Sequence, residues 1–341
     1  MKKHSSLFLG ALLSVCMIGV DTMAQEDGHV NLRLEARGDL QGESEWTDVR
    51  AANTGFRGKQ LNLRLNGNIT DAWSYVYRQR LGKPNIDASY FEAVDHINLT
   101  YTTGAWAFTG GKQTVAVGGY EYDRAPIDFY FGSEYWYNMD CYQWGVTTSY
   151  SFGNEAKDVL KLQVMQSPFR TVSPSLFGCN LMWTASHGWI DLLHSVNVME
   201  YVKQKFIGFL ALGHQFHMGD VTLQLDWMSR TDMDNLALFD DFSVMADLSW
   251  AVTDELNLFG KASYDVNERN HADLCVRSGT ELTRVGGGVE YFPIKDSRNI
   301  RFHGACSYTW GRNGNVSNGT LFNDQLFLSV GVTWMMNILK R

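Results

Sequence analysis

Past its first two dozen residues, the 341-residue chain has no run of 18 consecutive apolar residues, so it supplies no helix able to cross a bilayer. Only 5 prolines occur and no Pro/Ser-rich linker interrupts the chain, which argues against a string of tethered modules. Of the 5 cysteines, Cys16 falls in the leader described below. Cys141, Cys179, Cys275 and Cys306 are too sparse for a disulfide scaffold and lack metal-ligand spacing. The 9 histidines form no HExxH motif, and neither metal nor any other cofactor is implied. Excess positive charge is missing too: the formal charge is −8, and losing Lys2, Lys3 and Asp21 takes it to −9, which argues against a nucleic-acid partner.

At the start of the chain, Lys2 and Lys3 precede an apolar run from Leu7 to Val20, then Asp21-Thr22-Met23-Ala24 and polar Gln25-Glu26-Asp27. This order of charged, apolar and small-residue regions reads as a secretory signal peptide over residues 1–24, cleaved after Ala24. An exported chain with 45% hydrophobic and 13% aromatic residues but no spanning helix can enter a membrane only as a closed barrel. Residues 25–341 therefore read as a single transmembrane antiparallel β-barrel in a bacterial outer membrane, with lipid as its surroundings.

Period-two alternation supports this along the whole chain. Leu61, Leu63 and Leu65 alternate with Asn62, Arg64 and Asn66, and Leu160, Leu162 and Val164 alternate with Lys161 and Gln163. The same pattern recurs in Val221-Leu223-Leu225-Trp227, in Phe242-Val244-Ala246-Leu248-Trp250 and in Leu326-Leu328-Val330-Val332-Trp334. Sixteen such segments fit, from 29–38 to 324–335. Tight turns at 70–72, 103–104, 153–155, 187–188, 218–219 and 253–254 alternate with longer loops near 39–55, 83–92, 114–139, 168–176, 232–240, 267–281 and 312–323. That asymmetry, and aromatic residues such as Trp73, Trp106, Trp310 and Trp334 near strand ends, is expected of an outer-membrane barrel.

A barrel of this size leaves an aqueous channel whose lining decides what passes. Taking the polar phase as inward, the cations are Arg33, Arg37, Arg64, Arg78, Arg80, Lys112, Lys161, Arg230, Lys261, Arg284 and Arg301. The anions are Glu35, Asp191, Asp226, Asp247, Asp265 and Glu290. This net-positive lining predicts a modest preference for anions. The longest connection, 114–139, is strongly aromatic, with Asp123, Arg124 and Asp128 among its charges, and it is expected to fold inward as the constriction.

Around this segment GKQTVAVGGYEYD (111–123), APIDFYFGSEYWYN (125–138), QWGVTTSYSF (143–152) and LKLQVMQSP (160–168) resemble the phosphate-selective porin O and P family. The resemblance implies a sixteen-stranded homotrimeric porin with an inward third loop and passive diffusion of small anions or other hydrophilic solutes, phosphate among them. Family members line the channel with arginines and a lysine cluster; here Lys112 and Arg124 flank the loop at matching positions, and the loop itself carries no lysine cluster.

Catalysis finds no constellation. His194 and Ser195 are adjacent strand residues and point to opposite faces, so they cannot act on each other. Two other readings are a barrel whose external loops bind a ligand or partner and a secreted soluble β-protein. A soluble barrel would place its apolar phase inside, and the phase of the strands separates it from a membrane barrel.

Overall fold

The computed structural model describes residues 30–45, 54–83, 90–169, 175–233, 237–268, 274–314 and 324–340. The leader expected over 1–24, with Cys16, lies outside the described residues. Sixteen strands follow one another: β1 (Val30–Glu45), β2 (Gly55–Thr70), β3 (Trp73–Arg80), β4 (Val94–Thr103), β5 (Trp106–Thr114), β6 (Tyr142–Phe152), β7 (Asp158–Gln166) and β8 (Phe177–Ser186), then β9 (Ile190–Val202), β10 (Lys205–Met218), β11 (Val221–Asp232), β12 (Asp241–Ala251), β13 (Leu256–Asn267), β14 (Thr280–Tyr291), β15 (Ile300–Arg312) and β16 (Gln325–Lys340). Each bonds antiparallel to its chain neighbours, and β1 also pairs with β16, closing the barrel. Closure leaves no unpaired edge, which is the condition for a sheet to sit in lipid.

The alternation read from the sequence sets which phase faces out. Val146, Leu162 and Val330 are 61%, 49% and 63% exposed, while Asn62, Gln163 and Asn180 on the opposite phase are 0%, 2% and 0% exposed. Apolar outside and polar inside is the phase of a lipid-facing wall, and a soluble barrel would have the reverse. Exposed aromatics form rings near both ends. Trp73 packs on Tyr101 and Trp106 on Tyr150 beside the short turns, and Trp227, Phe239, Phe242 and Tyr264 form a chain of ring contacts at the other end. Two of the tight turns pass through glycines with positive φ, Gly104 (57°) and Gly219 (66°), a backbone that a Cβ would oppose.

Two strands outrun their expected ends. The first was expected to stop at 38, with a loop near 39–55. In the structure β1 continues to Glu45: Asp39 and Gln41 lie in the buried inward phase, Leu40 is exposed outside, and β16 pairs with the whole length. The last was expected to stop at 335 and runs to Lys340, because Asn31 to Glu35 at the start of β1 require partners there. Two connections break the alternation of short and long: β9 and β10 are joined on the long-loop side by Lys203 and Gln204 alone, with Gln204 at φ 66°, and β14 and β15 are joined on the short-turn side by the longer stretch 292–299.

Candidate functional site: an inward loop and the arginine row it leaves open

Residues 115–141, between β5 and β6, fold into the barrel and are fastened to its wall strand by strand. The neck closes where the Val115 amide donates to the Cys141 carbonyl (2.8 Å). From there Ala116 donates to the Gln163 side chain on β7 and Gly118 to the Ser195 hydroxyl on β9 (2.8 and 2.7 Å). Only glycine fits at 118, because a Cβ there would stand 2.6 Å from the Leu193 carbonyl oxygen.

Two short helical turns follow, α1 (Tyr120–Asp123) and α2 (Glu134–Asn138). First-turn amides of a helix have no partner within it and carry partial positive charge. The wall meets both sets with a carboxylate. Asp226 on β11 accepts from the Tyr120 and Glu121 amides (2.9 and 2.7 Å), and Asp265 on β13 accepts from the Glu134 amide (2.9 Å).

Several cations expected to line the channel hold this loop in place. Lys261 pairs with Glu121 at 2.7 Å, Arg284 donates to the Gly132 carbonyl, and Arg301 pairs with Asp128 at 2.7 Å and with Glu290 at 3.3 Å. Arg124 reaches Asp247 (2.9 Å) and Gln224. Arg37 donates to the Ile127 and Phe129 carbonyls while Asp39 holds its other edge. The loop is thus anchored to β7, β9, β11 to β15 and β1.

Beneath it lies an apolar core inside the barrel. Val115, Val117, Tyr122, Tyr135 and Met139 of the loop pack on inward-facing Met165, Met199, Ile207, Phe209, Ala211 and Met228, with Cys275 and Val276 added from the β13–β14 connection. A second group joins Tyr130 and Phe131 to Ala305, Phe327 and Phe259. Assigning every apolar phase to the outside misses these side chains. The signal was present in β10, where Phe206, Leu210 and Leu212 alternate with Ile207, Phe209 and Ala211, so that both phases are apolar, as a strand buried on both faces requires.

The wall from β1 to β4 carries a different lining. Arg33 stands opposite Arg64, Arg64 opposite Arg78, and Arg78 opposite His96, which makes one continuous row across four strands. Directly paired residues place their Cβ atoms about 4.5–5.5 Å apart, and like charges so placed cost stability. Carboxylates flank the row: Glu35 lies 3.9 Å from Arg33, and Asp95 lies 3.7 Å from Arg78 and 2.7 Å from Arg80. About a third of the Arg33 and Arg80 side chains remains exposed (33% and 32%), whereas Arg78 is buried against Asp95 and the Tyr142 hydroxyl. His96, Asp95 and Tyr142 were not singled out by sequence, because their role appears only once the strands are paired.

The remaining expected residues fall elsewhere. Lys161 is half-buried in the inward phase of β7 and interacts with Asp123. Burial raises the Asp123 carboxyl to about 7, with Lys161 opposing the shift and Asp226 adding to it. Lys112 is in register with Ile97 and Trp144, in the phase of exposed Phe108, and its ammonium donates to the Phe91 carbonyl (2.8 Å) at the loop end of β5. Ser195 is an inward anchor for Gly118, while His194 packs outward against Trp183, so the two are indeed divided between faces.

Residues 30–180 match the phosphate-selective porin O and P family. The matched stretch covers the arginine row and the whole inward loop. No curated protein matches the chain. Among solved structures, the outer membrane channel DcaP of Acinetobacter baumannii superposes with a TM-score of 0.65 at 14% identity, over 92% of this chain and 99% of that one. In-vitro folded OmpT, an outer membrane protein of Vibrio cholerae, gives 0.64 at 14% identity over 93% and 100%. The anion-selective porin from Comamonas acidovorans gives 0.61 at 10% identity over 90% and 99%. These likenesses share the closed barrel as a fold.

Proposed function

We propose that this chain is an outer-membrane porin through which small hydrophilic solutes diffuse passively, with the inward loop as constriction and anions, phosphate among them, preferred along the β1–β4 wall. The observation that carries the reading is the in-register row Arg33–Arg64–Arg78. Like charges set side by side oppose folding, so their grouping makes sense where a passing anion offsets their repulsion. A unit negative charge about 4 Å from one guanidinium gains roughly 1 kcal/mol in water and about 4 kcal/mol at the effective dielectric of a protein surface. The family match over this wall and the anion selectivity of the Comamonas protein support the same direction. Export through a cleaved leader at 1–24 and assembly as a homotrimer belong to the same proposal; one OmpT structure is described as a trimer form.

Purified protein in planar bilayers tests it. Stepwise conductance with a reversal potential on the anion side in a potassium chloride gradient is expected, with current blocked or carried by phosphate. Absence of any channel would move the reading to a barrel whose external loops bind a partner. Acidity provides a further check through Asp123. Its carboxyl, raised to about 7, is charged at pH 8 and mostly neutral at pH 6. Anion selectivity is therefore expected to rise as pH falls from 8 to 6, and the Asp123→Asn variant is expected to show a smaller rise over the same range. A pH response identical in that variant would remove Asp123 from the permeation path.

A further inference from the structure

On the outer wall, two histidines meet where an apolar surface is otherwise required. His194 on β9 shares its phase with Val196, which is 54% exposed, and His214 on β10 shares its phase with Met218, which is 53% exposed. Both therefore point away from the lumen. Their Nε2 atoms are 3.3 Å apart and their ring centroids 4.8 Å. Two rings aligned head-on would have centroids separated by the nitrogen spacing plus both ring radii. The shorter value, with the ring planes at 64°, means that the rings are inclined to each other rather than collinear.

A transition-metal ion bound to two imidazoles at about 2.0–2.1 Å with a tetrahedral angle holds its two nitrogens about 3.3 Å apart. The present spacing meets that requirement without movement of either strand. We propose that His194 and His214 form a divalent transition-metal site on the outer face of the barrel, independent of the channel. Among the described residues no third side chain completes the coordination, so the site is an open one.

Its position says what fills the open positions. Trp183 stands opposite His194 and donates from its indole nitrogen to Asp158 at the short-turn rim (3.1 Å), and Phe216 flanks His214. His214 is four residues from the end of β10, about 10 Å in height for a strand at the usual tilt. The pair thus sits just inside the aromatic ring at the membrane surface, within reach of interfacial water or a phospholipid phosphate oxygen. Either satisfies the preference of the metal for further nitrogen or oxygen ligands, and the phosphate also offsets its charge. Neutral imidazole nitrogens are required, so occupancy falls with acidity.

Copper(II) titrated alone into the purified barrel in phosphate-free detergent tests the site. One ion per chain is expected, with an electron paramagnetic resonance spectrum split by two imidazole nitrogens and with zinc(II) competing for the same position. The variants His194→Phe and His214→Phe should each weaken binding at least tenfold, and the double variant should abolish it. Phenylalanine suits a lipid-facing position, and the retained heat-modifiable migration of a folded barrel checks each variant. Histidines at 29, 96, 187, 217, 271 and 303 remain in the cleaved double variant and set its background. If the unaltered protein binds no more copper than the double variant, or either single variant binds as well as the unaltered protein, the pair is only a hydrogen bond between two imidazoles and the proposal fails.

Discussion

Replacing Arg64 with Gln is expected to cut the anion-to-cation permeability ratio severalfold, and adding Arg33→Gln and Arg78→Gln is expected to abolish the preference altogether. Arg64 is the middle of the row, paired with a cation on either side, so its removal takes charge from the centre of the path. The lower estimate of about 1 kcal/mol for one charge at 4 Å already corresponds to roughly a fivefold change in an equilibrium. Folding should survive. Removing the central cation relieves two like-charge contacts, whereas removing Arg78 alone leaves Asp95 still paired with Arg80 at 2.7 Å. Screening supplies an internal check, because exposed charges beyond about 10 Å are largely screened at 0.1 M salt. The difference between the parent and Arg64→Gln should therefore shrink from 0.1 M to 1 M potassium chloride. Reversal potentials that stay on the anion side in the triple variant would show that the selectivity arises elsewhere, for instance at Arg124 or Lys161.

What the sequence revealed and what it withheld divide along one physical line. Strand number and facing are local properties, since alternation within ten residues sets both, and so all sixteen strands were legible and most ends fell within two residues. Where the local signal weakened, as at Gly38 and Gly42, long-range pairing with β16 decided the strand instead. Charges could be sorted by phase in the same way, yet phase says only that Arg33, Arg64, Lys261 and Arg301 point inward. Whether an inward cation meets water or a loop depends on where residues 115–141 travel. That path is fixed by contacts far apart in sequence, such as Gly118 with Ser195 and Glu134 with Asp265. The arginine row was hidden for a related reason. Its members come from three strands, and only the register that sets Arg33 against Arg64 and Arg64 against Arg78 makes them neighbours.

The double variant Asp226→Ala and Asp265→Ala is expected to raise single-channel conductance severalfold, to weaken selectivity, and to leave the barrel closed. These two carboxylates accept the first-turn amides of α1 and α2, which no backbone group can satisfy. Leaving a buried donor without its acceptor costs about 1–3 kcal/mol, and at least three amides lose theirs. The apolar seat opposes release: Tyr135 and Phe209 are 0% and 1% exposed and pack together, and truncating a buried aromatic of this kind costs about 3–5 kcal/mol. The loss of the caps is comparable to the hold of one seat aromatic, and the ion pairs of Lys261, Arg301 and Arg124 remain, so the double variant should sample a detached loop in brief, large openings. Adding Tyr135→Ala tips the balance and should make the high-conductance state permanent. The wall itself does not depend on the loop, because every strand keeps both ladders. Heat-modifiable electrophoretic mobility should therefore persist in all three forms. Trypsin offers an independent reading, since Arg124 is held by Asp247 and Gln224 in the seated loop and becomes cleavable once it leaves. A triple variant that is cut at Arg124 yet conducts like the parent would mean that the loop fills a part of the barrel that solutes never cross.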